Sequence, residues 1–188
     1  MKILTRDCLY SFILTTFAIL ILNVSCKKDK TTTTPVNPDP TYYFKFQGKK
    51  YEIAKALVFY DATWGNPGLR RFKVYLTSPG VEYDQFHNKI TGDGNGLIFN
   101  LVTDNDTTFA GPAYAVHPEH SIPVVDDITY PKMMLYGDFT LMDGEITNIA
   151  GGTCVVSKTE NMCKFTFKFV SAANDSITGG FTGYFEKY

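Results

Sequence analysis

The sequence predicts an all-β domain, an antiparallel β-sandwich of about ten short strands. Apolar and polar residues alternate in several stretches, as they do where one face of a strand is buried. Clusters of glycine, proline, asparagine and aspartate interrupt these stretches about every ten residues, a spacing typical of a sandwich or a barrel. No stretch beyond residue 41 repeats its apolar residues at helical spacing.

The first half of the domain opens with a predicted β-hairpin that turns at Gly48-Lys49. A continuous apolar run, 56–60, follows, and turn-forming clusters lie at 64–68, 78–80 and 91–96. The segment 81–89 is polar and fits no period, and it is the one place in the domain where a short helical turn is compatible with the sequence. The strands predicted in this half are 42–47, 50–53, 56–60, 72–76 and 97–102.

The second half contains the clearest strand, 162–170, in which Cys163, Phe165, Phe167 and Phe169 share one face. Asp143-Gly144 is a hairpin signal, and 117–129 reads as a long loop. The other strands predicted in this half are 109–116 with a break at Gly111-Pro112, 133–142, 145–149, 153–157 and 176–187.

The N-terminus has the pattern of an export signal. Lys2 and Arg6 precede an apolar run, 9–22, that is shorter than the roughly 20 residues a membrane-spanning helix needs. It ends at Ser25-Cys26, which resembles the lipobox of bacterial lipoproteins. Lys27-Lys28-Asp29-Lys30 then resembles the tail of Bacteroidota lipoproteins. The resemblance implies that Cys26 is lipidated. An ordinary cleaved signal and an uncleaved anchor are the alternatives.

The predicted domain organisation follows from the change from apolar to polar sequence at Cys26. Residues 1–25 form a lipoprotein signal peptide, 26–41 the lipidated cysteine and a Thr/Pro-rich tether, and 42–188 the all-β globular domain. Acyl chains attached to Cys26, palmitate among them, anchor the protein in a membrane. The cell outer membrane is the expected location, with the periplasmic and surface leaflets both open.

The C-terminal pattern carries a second resemblance. The C-terminal part contains, in order, a strand that begins at Gly151-Gly152, a hairpin, an aromatic strand and the segment Ile177 to Tyr184. This order resembles the end of Bacteroidota lipoproteins with a β-sandwich domain. The resemblance implies that fold and no activity. A lipocalin-like barrel stays open as the alternative, because sandwiches and barrels show the same alternation.

Two cysteines remain in the globular domain, Cys154 and Cys163. An even pair in an exported protein favours a disulfide, and the two lie on the inward face on either side of the turn at 158–161. We therefore predict a disulfide between them. Two buried thiols are the alternative.

Candidate site residues are few. Trp64, the one tryptophan in the chain, lies with Asn66 in a loop just after Tyr60, and an exposed indole beside polar groups can stack on a sugar ring. The other interpretation of Trp64 is a ring that covers one end of the core. His117-Pro118-Glu119-His120 lacks the spacing of a metal site, and Asp93 and Asp104 lie in turns without a complete calcium loop. We expect no metal and no cofactor.

The function expected is therefore a non-enzymatic binding or assembly module on a lipid anchor, with a glycan or a small molecule as ligand. No nucleophile elbow or other catalytic motif occurs. The alternative is an envelope interaction protein that binds a membrane protein partner and no small ligand. The formal net charge is −1 and no basic cluster stands out, so nucleic acid is not an expected partner.

Overall fold

Strands make up the regular structure in this computed structural model, which describes residues 42–61, 67–105, 108–117 and 122–188. Those residues contain no helix, so the all-β prediction is confirmed. The strands are β1 Tyr43–Phe46, β2 Lys49–Glu52, β3 Lys55–Asp61, β4 Arg70–Thr77, β5 Glu82–Asp84, β6 Lys89–Thr91, β7 Asp93–Thr103, β8 Gly111–Val116, β9 Asp127–Asp138, β10 Asp143–Thr159, β11 Met162–Ser171 and β12 Ser176–Lys187.

Ten of these strands form one large sheet in the order β11-β10-β8-β9-β7-β4-β3-β12-β1-β2, and β5 and β6 form a separate two-stranded sheet. β11 also pairs with β12, and β10 with β9. The hydrogen-bonded pairings therefore lead from β3 through β4, β7, β9, β10, β11 and β12 back to β3.

The large sheet is mixed, which corrects the expectation of purely antiparallel pairing. β12 runs parallel to β3, with Phe185–Lys187 beside Ala56–Val58, and β8 runs parallel to β9. The first parallel pair follows from the link between β2 and β3. Only Ile53 and Ala54 separate these strands, so β3 continues in the direction of β2. Because β1 is antiparallel to both β2 and β12, β3 must be parallel to β12.

One long strand replaces two predicted short ones. Segments 145–149 and 153–157 belong to the continuous strand β10, and Gly151-Gly152 marks a bulge where the register with β11 shifts. Gly152 has a φ of +108°, and a Cβ atom there would lie 2.2 Å from the carbonyl oxygen of Lys168. Glycine is the residue that fits this position without displacing β11.

Two local segments differ from what their sequence suggests. The segment 81–89 is a β-hairpin of β5 and β6 and contains no helical turn. The predicted strand 133–142 ends early, at Asp138, because the Asp138 Oδ1 accepts hydrogen bonds from the amides of Thr140 (2.7 Å) and Leu141 (3.3 Å). These bonds turn the chain before the Asp143-Gly144 pair is reached.

Two apolar cores lie on opposite sides of the large sheet. All ten of its strands contribute to the inner core, in which the four residues predicted on one face of β11 are buried. The smaller outer core lies beneath the β5–β6 hairpin and consists of Leu57, Tyr75, Val81, Ile90, Ile98, Met134 and Phe139. β3 is thus buried on both faces, which explains its continuous apolar run.

The described part of the chain contains no helix with the length and apolar character needed to cross a membrane.

Candidate functional site

The predicted ligand-binding residues do not form a described site. Trp64 and Asn66, like Cys26, lie outside the residues that the structure describes. Tyr60 is half-buried on β3, and its ring packs against Phe72 with 5.2 Å between ring centroids. The Tyr60 side chain therefore packs on the inner core.

The predicted disulfide is absent, because Cys154 and Cys163 are both buried free thiols. The hairpin register gives the reason. Cys154 lies opposite Phe167, whereas Cys163 lies opposite Lys158. The two cysteines share a face but are offset by four residues, about 13 Å along the strands. A disulfide needs Cα atoms within about 7 Å of each other.

The histidine segment also lacks a described metal site. His117 is described, whereas Glu119 and His120 are not. Within the described ranges, no group of three or more histidine, cysteine, aspartate or glutamate side chains is placed to hold a metal ion.

A different site is built on the outer face of β3 and β4. Phe59 lies directly opposite Lys73, and Leu57 lies opposite Tyr75. Leu57 and Tyr75 are buried in the outer core, Phe59 is half-buried against it, and Lys73 is exposed. The Lys73 ammonium lies 5.0 Å from the centroid of the Tyr75 ring, within the range of a cation–π contact. This face therefore presents aromatic rings with a positive charge beside them.

The β5–β6 hairpin forms the opposite wall of the site. Tyr83 and Ile90 are paired across it, and the Tyr83 hydroxyl donates a hydrogen bond to the Asn88 Oδ1 at 2.6 Å. Asp84 holds the turn, because its Oδ1 accepts hydrogen bonds from the amides of Phe86 (3.0 Å) and His87 (3.1 Å). These hydrogen bonds fix the conformation of the turn between β5 and β6.

Phe59 is the centre of an aromatic cluster. Its ring centroid lies 5.7 Å from that of Tyr75, 5.0 Å from that of Tyr83 and 5.2 Å from that of Tyr188. The contacts with Tyr75 and Tyr83 are edge-to-face, whereas the Tyr188 ring stacks on Phe59 with 21° between the ring planes. The C-terminal Tyr188 joins the cluster because its amide donates a hydrogen bond to the Val58 carbonyl at 3.0 Å.

A cavity of about 390 Å³ lies between the two walls. We call it the aromatic cavity. Its lining residues are Phe59, Lys73, Tyr75, Tyr83, Asn88, Lys89, Ile90, Phe139, Thr140 and Met142. A volume of this size accommodates a small organic molecule, and the lining has the usual composition of a ligand site, mostly apolar walls with a few polar groups.

Two carboxylates beside the aromatic cavity are stabilised in their charged form. The Thr140 hydroxyl and the amides of Thr140 and Leu141 lower the pKa of Asp138, and the charge of Lys89 lowers it further. Hydrogen bonds from His87 lower the pKa of Asp84. Both groups are therefore ionised at neutral pH.

The sequence held only indirect signals of the aromatic cavity. Phe59 belongs to a continuous apolar run, whereas a strand with one buried face would alternate apolar and polar residues. In the alternating strand 72–76, the aromatic residue Tyr75 lies on the same side as Lys73, where a polar residue would be expected. Both features indicate that something covers this face. Tyr83 lies in the segment whose period was ambiguous, so its position could not be inferred.

Comparison with protein-family models, with curated protein sequences and with solved structures gave no match for this chain.

Proposed function

We propose that this chain is a non-enzymatic binding module and that the aromatic cavity binds a small molecule or a single sugar residue with a flat apolar face. The proposal rests on a cavity of about 390 Å³ whose lining includes the aromatic rings of Phe59, Tyr75 and Tyr83. Aromatic rings stack on flat apolar ligand surfaces and lose little conformational entropy when they do so.

The rim of the aromatic cavity narrows the chemistry of the ligand. Lys73 and Lys89 supply positive charge, which for Lys89 is partly balanced by the nearby Asp138 carboxylate, and Asn88 and Thr140 supply neutral hydrogen-bonding groups. No lining residue is a carboxylate within the part of the chain described. A ligand that combines a flat ring with a negatively charged group fits this arrangement best.

A binding role also fits the side chains at the aromatic cavity. Among the described lining residues, no nucleophile is paired with a base or held by a third orienting group. Ligand capture without turnover therefore accounts for the arrangement.

The location is proposed from the N-terminal pattern. Lipidation of Cys26 holds the domain at the outer membrane, and the tether 26–41 separates it from the lipid surface. The periplasmic and surface leaflets both fit this proposal.

β12 pairs with both β11 and β3, so the series of paired strands closes on itself. This closure favours a barrel-like arrangement rather than the two separate layers of a sandwich. The interior is then occupied by the inner core. In either arrangement the aromatic cavity lies on the outside of the large sheet.

A second candidate function is docking to a membrane protein partner. Phe86 is 91% exposed at the turn of the β5–β6 hairpin, and Leu141 is 73% exposed at the turn between β9 and β10. Both turns contribute neighbouring residues to the aromatic cavity. Exposed apolar groups at adjacent turns favour a protein surface as partner.

The test is thermal unfolding of the full-length chain against a panel of aromatic acids, acidic and neutral sugars, lipids and divalent metals. A ligand at 100 times its dissociation constant stabilises the native state by about 2.7 kcal/mol, which raises the midpoint by a few degrees. We expect the shift with a ring-bearing anion. Lys73→Ala should reduce it and leave the unliganded midpoint almost unchanged, because Lys73 is exposed.

Tyr184→Ala is the control, because Tyr184 is 75% exposed, does not line the aromatic cavity and pairs with Met162 of β11. A panel without any shift, together with recovery of a protein partner by crosslinking in the membrane, would replace this proposal with the second candidate.

A further inference from the structure

A second surface, on strands that do not line the aromatic cavity, carries an unusual concentration of positive charge. Lys45 on β1, Lys50 on β2, and Lys164 and Lys168 on β11 are all exposed on the outward face of the large sheet. We call this surface the basic face. β12 lies between β1 and β11 and completes it.

The strand register places three of these lysines in one row. Lys50 lies directly opposite Lys45, Lys45 opposite Thr178, and Thr178 opposite Lys168. Neighbouring strands are about 4.8 Å apart, so the backbones of Lys45 and Lys168 are about 10 Å apart. Lys164 lies four residues from Lys168 on the same strand, a further 13 Å or so.

Like charges directly opposite each other destabilise a sheet. The Lys50 ammonium lies 4.8 Å from the centroid of the Tyr43 ring, which offsets part of the repulsion between Lys45 and Lys50. Two described carboxylates lie near these rows. Glu52 is opposite Tyr43, and Asp175, in the turn before β12, lines a recess together with Lys45 and Thr178. Four lysines and two carboxylates thus occur together in a chain whose net charge is −1. The charge balance favours an anionic partner.

The centre of the basic face is recessed. Gly180 has no side chain, and its cross-strand neighbours are Tyr43 on one side and Thr166 on the other. A cavity of about 340 Å³ lies there, and Lys45 and Lys164 are among its lining residues. Hydroxyl groups of Thr166, Thr178 and Thr182 surround the recess.

We propose that the basic face binds an acidic polysaccharide. One sugar ring occupies the recess over Gly180, beside the Tyr43 ring and the threonine hydroxyls. The lysines pair with carboxylate or sulfate groups on this ring and on neighbouring rings. A membrane surface fits less well, because membrane-binding faces project apolar groups into the lipid, whereas this face is hollow at its centre. A single-stranded nucleic acid needs a series of stacking aromatic rings, and Tyr43 is one ring.

The test is titration of the full-length chain with polygalacturonate and with dextran sulfate, and with uncharged dextran for comparison. We expect binding to at least one acidic polymer, no binding to uncharged dextran, and an affinity that falls as salt is added. The variant Lys45→Gln/Lys168→Gln should bind about tenfold more weakly, because two screened ion pairs are lost. Both side chains are exposed, so the fold should be retained.

The matched control is Lys132→Gln/Lys187→Gln, which removes the same charge from β9 and from the end of β12. An equal loss of affinity in the control would show that net charge alone is responsible and would overturn the proposal. So would the absence of binding to both acidic polymers. Tighter binding to anionic lipid vesicles or to a single-stranded oligonucleotide would assign the basic face to that partner instead. The aromatic cavity and the basic face are independent, and either assignment can fail without the other.

Discussion

The positions of Cys154 and Cys163 along their strands decide whether the two side chains can form a disulfide. Their sequence spacing and shared face suggested a disulfide, but the hairpin register separates them by four residues along the strands. Burial raises the pKa of the Cys163 thiol to about 12 and also raises that of Cys154. Neither group therefore provides much thiolate at neutral pH.

We predict that both thiols of the folded full-length chain resist alkylation at pH 8 and react in denaturant. Peptide mapping by mass spectrometry distinguishes them from Cys8 and Cys26. A peptide in which Cys154 and Cys163 are joined under non-reducing conditions would contradict the structure.

Tyr114 gives the second residue-scale prediction. It is buried, and its hydroxyl donates a hydrogen bond to the Phe109 carbonyl at 2.8 Å. Tyr114→Phe should lower the free energy of unfolding by about 1 kcal/mol at pH 7. Tyr184→Phe, at a position 75% exposed, should leave it unchanged in the same urea titration.

The same residue should make stability depend on alkaline pH. Burial raises the pKa of Tyr114 to about 12, whereas the unfolded side chain ionises near its ordinary value of about 10. The stabilisation from the neutral hydroxyl is therefore complete below about pH 10 and decreases as the pH rises towards about 12. Tyr114→Phe should lose less stability between pH 9 and 11 than the unmodified chain. Equal losses would contradict this assignment.

At the scale of elements, the β5–β6 hairpin is the feature that creates the aromatic cavity. It buries the outward side chains of β3 and β4, Leu57 among them, which is fully buried. Leu57→Ala should therefore lower the free energy of unfolding by about 2–5 kcal/mol, as for any core leucine. Val155→Ala, on the outward face of β10 and 46% exposed, should change it by less than about 0.5 kcal/mol. Similar effects of both variants in a denaturant titration would show that the hairpin does not cover β3.

The strands also show which parts of the fold could be predicted from the sequence. Strict alternation identified β11, because one of its faces is buried and the other is exposed. The hairpin β5–β6 was missed because its strands have three residues each, too few to establish a period. The aromatic cavity was missed for the same reason, since it exists only once this hairpin is placed over Phe59 and Tyr75. Pairing between distant strands, such as β12 with β3, leaves no local signal.

At the scale of the whole molecule, the parallel pairing of β12 with β3 closes the series of paired strands that begins at β3. Tyr188 strengthens the junction, because its amide donates to the Val58 carbonyl and its carbonyl accepts from the Tyr60 amide at 3.2 Å. Removal of residues 185–188 should expose this edge of β3. Hydrogen exchange should then become faster in both β3 and β4, and Phe59 should lose its stacking contact with the ring of Tyr188. Faster exchange confined to β12 would show that the junction does not support the sheet.

The measurement that tests the binding proposal most directly is fluorine NMR of the full-length chain with fluorotyrosine in place of its 12 tyrosines. Individual Tyr→Phe variants assign the resonances. With a ring-bearing anion from the panel, we predict that the resonances of Tyr75 and Tyr83 shift with ligand concentration. Those of Tyr136 and Tyr184, 66% and 75% exposed at other positions, should stay in place. Saturable shifts at other tyrosines, with those of Tyr75 and Tyr83 unchanged, would contradict the assignment of the aromatic cavity as the binding site.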